Sequence, residues 1–108
     1  MDWIRSSYSF AQLSIILHAP ARAGIYLLRT SARCIYIGES ENIRKSLLAH
    51  LYGDNPWIIV WAPSRFSFEL CPDGSKTELK NELQARLQPV ISGRNHAVES
   101  AHLIALTD

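Results

Sequence analysis

Charge is scarce in this sequence. Asp, Glu, Lys and Arg make up 19% of 108 residues, and eleven basic groups against ten acidic ones leave a formal net charge of +1. The average globular chain carries roughly 25% charged residues. A near-neutral chain exerts no general electrostatic pull on nucleic acid, so any such binding must come from a local patch. Cysteine is scarcer still: Cys34 and Cys71 are the only two, each inside an apolar, strand-like stretch. Neither has the Cys-x-x-Cys spacing of a structural metal site, and both are expected to be buried free thiols. No run of about 20 apolar residues is present, which excludes a membrane-spanning helix as an expectation. The start, "MDWIRSSYSF", lacks a basic region followed by a long apolar one, so no signal peptide and a cytoplasmic location are expected. There is no internal repeat and no low-complexity linker, and residues 1–108 read as one domain with one core.

What is present is a mixed order of elements. "SFAQLSIILH" spaces Phe10, Leu13, Ile16 and Leu17 at helical intervals behind Ser9 as N-cap, and "APARAG" ends it. "GIYLLR" and "RCIYIG" are β-prone runs joined by "TSA", a hairpin spacing that puts Tyr26 and Tyr36 on neighbouring strands. "SENIRKSLLAHLYG" begins with Ser40 as a capping residue, carries Ile43, Leu47, Leu48 and Leu51 on one helical face and stops at Gly53. The apolar run between Pro56 and Pro63 fits a short helix or a buried extended segment, and periodicity does not separate the two. "RFSFEL" alternates as a third strand, with Phe66, Phe68 and Leu70 on one face. Leu79, Leu83 and Leu87 mark a helix that ends before Pro89, and the tail of residues 90–108 has room for a last short helix from about Ala97. The fold class expected is α/β in the α+β sense: a small three-stranded mixed or antiparallel sheet flanked by helices.

Two triplets, Gly24-Ile25-Tyr26 and Tyr36-Ile37-Gly38, stand ten residues apart from tyrosine to tyrosine, followed by a capped helix, a strand and a helix closing in "LQPV". In that order they resemble the signature of the GIY-YIG nuclease superfamily, over about residues 23–89. "YIGESENIRKSLLAHLYGDNP" is similar to the small stand-alone bacterial members rather than to domains fused to excision-repair subunits or homing endonucleases. The resemblance implies cleavage of DNA phosphodiesters with one divalent metal, Mg²⁺ or Mn²⁺. In that scheme Tyr26 and Tyr36 position or activate the attacking water, and His50, twelve positions after Gly38, matches a histidine seen in many members. Gly38 lets backbone and substrate approach closely, and a metal and a guanidinium share the charge that develops on phosphate.

The resemblance also implies a catalytic set that is degenerate in two places. The arginine expected eight positions after Gly38 is Ser46, leaving Arg44 and Lys45 as the nearest cations. At about 100° per residue, Arg44 lies roughly 200° from Ser46 and Lys45 roughly 100°. Arg44, Lys45, Ser46 and Gly38 are therefore the candidate substrate-binding residues. The helix glutamate expected to hold the metal falls on Lys80, with Glu78 and Glu82 sharing another face, and Glu82 is the candidate metal ligand. The late asparagine of the family is absent near Pro89, Asn95 being a distant substitute. Three functions stay open: a metal-dependent endonuclease, a DNA-binding domain without hydrolysis, and a protein-interaction or regulatory module that meets its partner through the Trp57–Trp61 segment.

Overall fold

The computed structural model describes residues 6–71 and 74–91. Its elements in chain order are β1 (Tyr8–Ser9), α1 (Gln12–His18), β2 (Gly24–Arg29), β3 (Cys34–Ser40), α2 (Ile43–Leu51), α3 (Pro56–Val60), β4 (Arg65–Leu70) and α4 (Lys76–Leu87). The tail helix expected from about Ala97 lies outside the described residues, as does Asn95.

Among the described residues the sheet has four strands in the order β1-β4-β2-β3, and every pairing is antiparallel. This corrects the expected three-stranded sheet. The added strand is two residues long, pairing Tyr8 with Phe66 and Ser9 with Arg65, too short for any alternation to reveal. β2 is central and covered on both faces, so five of its six residues, Gly24 to Leu28, are buried. Tyr26 and Leu28 face a core shared with Ile15, Ile43, Leu47, Ile58 and Phe66, under α1, α2 and α3. Ile25 and Leu27 face a second cluster with Ile37 and Leu83, under α4.

One irregularity decides where the tyrosines point. Leu28 pairs with Tyr36 but Arg29 pairs with Cys34, so Ile35 is an extra residue on β3. The bulge bends the strand next to the hairpin turn, where Thr30 Oγ1 accepts from the N–H groups of Ala32 and Arg33. Downstream of it Tyr36 opposes Leu28 and Gly38 opposes Tyr26, in regular register. Tyr26 and Tyr36 therefore share one face of the sheet.

The helices form where the apolar spacing places them, with three corrections. In α1 the fully buried residue is Ile15, whereas Leu13 and Leu17 are 68% and 67% exposed, so the predicted apolar stripe faces out. Its N-cap is Ala11, without a side-chain cap, because Ser9 is in β1. The N-cap of α2 is Asn42, whose Oδ1 accepts from the Lys45 N–H, since β3 runs on through Ser40. The open choice for the Pro56 segment resolves as helix. Pro56 sits in its first turn, where a missing N–H is harmless, behind Asn55 in the left-handed conformation at φ 58°.

Candidate functional site

Tyr26, Tyr36 and His50 form a three-ring cluster where α2 crosses β2 and β3. The ring centres lie 6.1 Å apart for Tyr26 and Tyr36, 5.6 Å for Tyr26 and His50, and 5.5 Å for Tyr36 and His50. His50 reaches the sheet because it falls on the buried side of α2 together with Ile43 and Leu47, seven and three residues before it. Tyr26 is 3% exposed and His50 5%, while Tyr36 is half-buried at the edge.

The hydrogen bonds fix the roles of these groups. His50 Nδ1 lies 3.2 Å from the backbone carbonyl of Asp54, which can only accept, so Nδ1 carries the proton. In the neutral ring Nε2 is then an acceptor, and the Tyr26 hydroxyl, 2.7 Å away, donates to it. Burial lowers the pKa of His50, partly offset by its bond to the Asp54 carbonyl and by the Asp54 carboxylate. Burial raises the pKa of Tyr26, reinforced by the charges of Tyr36 and Asp54, and it raises that of Tyr36, reinforced by Asp54 and Glu39. At neutral pH the pair is a phenol donating to a neutral imidazole. Tyr26 can pass its proton to Nε2 while its own oxygen takes one from a group in front of it.

In front of the cluster is an open pocket of about 570 Å³ lined by Tyr26, Tyr36, Lys45, Ser46, Ala49, His50, Asp54 and Asn55. Five candidates from the sequence thus come together: Tyr26, Tyr36, His50, Lys45 and Ser46. Ser46 Oγ is engaged with Ser40 Oγ at 2.6 Å, and Ser40 in turn accepts from the Asn42 N–H. Among the described residues, Lys45 is the single Lys or Arg side chain lining the pocket. Gly38 lies beneath the Tyr26 ring, and a Cβ there would stand 2.8 Å from Cε1 of Tyr26 and nearer still to Cζ and Oη. Its glycine thus accommodates Tyr26 itself.

Two candidates are placed elsewhere. Arg44 turns away from the pocket, its Nε donating to the Ala19 carbonyl at 2.8 Å, so it ties the start of α2 to the end of α1. Glu82 is on α4, which packs on the other face of the sheet through Leu83. Its side chain is 58% exposed and lies 3.8 Å from Arg86 one turn on. At the position where a metal carboxylate is expected, Lys80 Nζ lies 3.7 Å from Glu39 Oε1, and Thr77 Oγ1 donates to Glu39 Oε2 at 2.9 Å. Lys76 meets Glu41 at 2.9 Å beside them. An ammonium facing the carboxylate of β3 does not fit a divalent cation there, and among the described residues no three of His, Cys, Asp and Glu group as metal ligands.

Sequence reasoning missed Asp54 and Asn55. Both follow Gly53 in "YGDNP", which reads as a helix stop, and only the turn brings them to the pocket. Within the Trp57–Trp61 segment the exposed apolar residues are Ile59 and Val60 rather than the tryptophans. Both tryptophans pack against the core, and the Arg33 guanidinium sits 5.5 Å from the Trp61 ring. No helix among the described residues is long and apolar enough to cross a membrane.

Comparison with solved structures places this arrangement. The chain superimposes on the N-terminal GIY-YIG endonuclease domain of UvrC from Thermotoga maritima, solved as a point mutant bound to its catalytic divalent cation. The TM-score is 0.65 at 19% identity, over 77% of this chain and 96% of that one. The fold is that of a GIY-YIG endonuclease domain. The magnesium-bound form of the same UvrC domain matches with a TM-score of 0.63 at 18% identity, over 73% of this chain and 92% of that one. Among curated proteins, UvrABC system protein C of Aquifex aeolicus is 45% identical over 38 residues, which are 35% of this chain and 7% of that protein. No family model matches the chain. Within this fold Tyr26 and Tyr36 share one face of the sheet, and the His50 ring packs tilted against the first and edge-on against the second.

Proposed function

We propose that this chain is a GIY-YIG nuclease-like domain that binds DNA in the pocket before Tyr26, Tyr36 and His50, with phosphodiester hydrolysis weak or absent. The observation that carries the reading is the buried Tyr26–His50 pair opening on a pocket with Lys45 at its side. A proton-transfer pair at a pocket with an ammonium group suits a phosphodiester. Two features speak for weak hydrolysis. Ser46 offers a hydroxyl, already bonded to Ser40, where a guanidinium is expected to meet the charge developing on phosphate. Lys80 stands where a carboxylate is expected for Mg²⁺ or Mn²⁺, and Glu82 points to solvent. The catalytic set is in this sense degenerate.

The test is a fluorescence-anisotropy titration of labelled duplex DNA over a range of salt concentrations, beside a cleavage assay with Mg²⁺ and Mn²⁺. We expect salt-sensitive binding in the range of about 10⁻⁴ to 10⁻⁶ M typical of non-specific contacts, weakened by Lys45→Ala, and little or no cleavage. Absence of binding at low salt, or binding indifferent to Lys45→Ala and Tyr36→Ala, would remove this reading. A protein-interaction module is the second reading, favoured by the exposure of Leu13 and Leu17 on α1 and of Val60 on α3 at 68%, 67% and 69%.

A further inference from the structure

Asp54 is out of place in a pocket offered to a phosphodiester, because its carboxylate repels phosphate and partly cancels Lys45. The backbone around it is unusual in the same three residues. Gly53 at φ 103° and Asn55 at φ 58° are both left-handed, a conformation that glycine and asparagine tolerate and most residues resist. Between them the Asp54 N–H donates to the Ala49 carbonyl at 2.9 Å, closing the end of α2. That turn swings the Asp54 carbonyl under His50 Nδ1. One residue thus addresses the imidazole twice, through its carbonyl and through its charge.

We propose that Asp54 is the positioning residue of the Tyr26–His50 pair: its carbonyl holds the imidazole with the proton on Nδ1, and its carboxylate stabilises the imidazolium formed when Tyr26 yields its proton to Nε2. The logic is that of an acid orienting a histidine base, with the orienting bond made by backbone and the charge supplied by side chain. The inference rests on the reading of Tyr26 and His50 as the working pair. The polar groups that line the pocket with the imidazole are Tyr26 from β2, Tyr36 from β3, Lys45 and Ser46 from α2, and Asp54 and Asn55 from the turn. Of these, Asp54 is the one that brings negative charge at neutral pH.

The experiment is a ¹⁵N–¹H NMR titration of the histidine rings in the full chain, which reports tautomer and pKa together and needs no DNA. His50 is expected as the Nδ1–H tautomer. In Asp54→Asn the carbonyl remains, so the tautomer stays, while the His50 pKa falls, a shift that shrinks at high salt. Asn55→Gly, which accepts the left-handed turn, should leave both readings as in the natural chain. An Nε2–H tautomer in the natural chain, or a His50 pKa unmoved by Asp54→Asn, would overturn the proposal. In parallel, Asp54→Asn should tighten duplex DNA binding by a factor on the order of a few, since a like charge leaves the pocket. If no DNA binds while the NMR results hold, the DNA reading falls and the role of Asp54 stands.

Discussion

The ring of Tyr26 occupies the space that a side chain on Gly38 would need. The two residues are directly opposed across β2 and β3, and a Cβ on Gly38 would come within 2.8 Å of Tyr26 Cε1. The glycine of the second triplet therefore serves the tyrosine of the first, which explains why the two occur as a pair. Gly24 is constrained separately, since a Cβ there would overlap the Glu69 carbonyl and stand 2.9 Å from Ile43 Cδ1.

Gly38→Ala should force the Tyr26 ring off its seat and break its 2.7 Å bond to His50. We expect a loss of stability of about 1–3 kcal/mol, the usual range for overpacking. Urea denaturation measures it. In the double variant Gly38→Ala with Tyr26→Ala the space reopens, and the two losses should be clearly less than additive.

His50 gives stability a dependence on acid. Its pKa is lowered by burial, so below the unfolded value of about 6.5 the unfolded chain takes up a proton that the folded chain does not. Stability then rises with pH across the window from the folded pKa up to about 6.5, and is lost as pH falls through it. His50→Gln should flatten that part of the profile. Denaturation midpoints of both proteins between about pH 5 and pH 8 check this, and identical slopes would count against the buried neutral imidazole.

Tyr26, Tyr36 and His50 were legible as a group because the two triplets and the helix after them fix a strand, a strand and a helix in sequence. Other parts were hidden for definite physical reasons. β1 is two residues long, below the length at which alternation exists. In α1 the residues with helical spacing, Leu13 and Leu17, are exposed, and the buried one is Ile15, so spacing alone chose the wrong face. Arg44 reads as a cation beside the site, yet its guanidinium has a carbonyl to satisfy at Ala19. Glu82 could not be placed without knowing that α4 covers the opposite face of the sheet from the tyrosines. Asp54 comes to the pocket through two left-handed residues, a property of the turn that no periodicity carries.

Cys34 should be a slow thiol. It is half-buried on the α4 side of the sheet, and burial pushes its pKa up to about 11 despite the opposing influence of Arg29. Cys71 is 4% exposed. Reaction with a chromogenic disulfide at neutral pH is expected to be slow in the folded chain and fast in denaturant. Rapid modification of one thiol under native conditions would show Cys34 to be more open than its packing implies.

Lys80 makes a sharp prediction about metal. Because its ammonium lies 3.7 Å from Glu39, a divalent ion placed there would face repulsion on the order of 8 kcal/mol at roughly 4 Å and an effective dielectric constant of about 20, before screening. The natural chain should show no saturable Mn²⁺ site at α4, and Lys80→Glu should create one beside Glu39. Paramagnetic broadening of signals from α4 and from the end of β3 reports this directly. Saturable binding in the natural chain, abolished by Glu82→Gln, would mean that α4 presents Glu82 rather than Lys80 to the site.

Ser46→Arg returns a guanidinium to the position from which the resemblance says it is missing, and its effect separates binding from chemistry. The change removes the 2.6 Å bond to Ser40, but that residue still accepts from the Asn42 N–H, so the start of α2 keeps its support. An added phosphate contact should tighten duplex DNA binding and steepen the plot of log affinity against log salt by about 0.9. Hydrolysis is a separate matter, because Lys80 still stands where the resemblance puts the carboxylate of α4. We expect the single variant to bind more tightly and cleave little, and the double variant with Lys80→Glu to cleave measurably in Mn²⁺. Cleavage activity lost on adding Tyr26→Phe would tie the restored reaction to the Tyr26–His50 pair. A Ser46→Arg chain whose salt slope does not change would place the phosphate path away from α2, and the pocket before Tyr26 would then have to be given up as the DNA site.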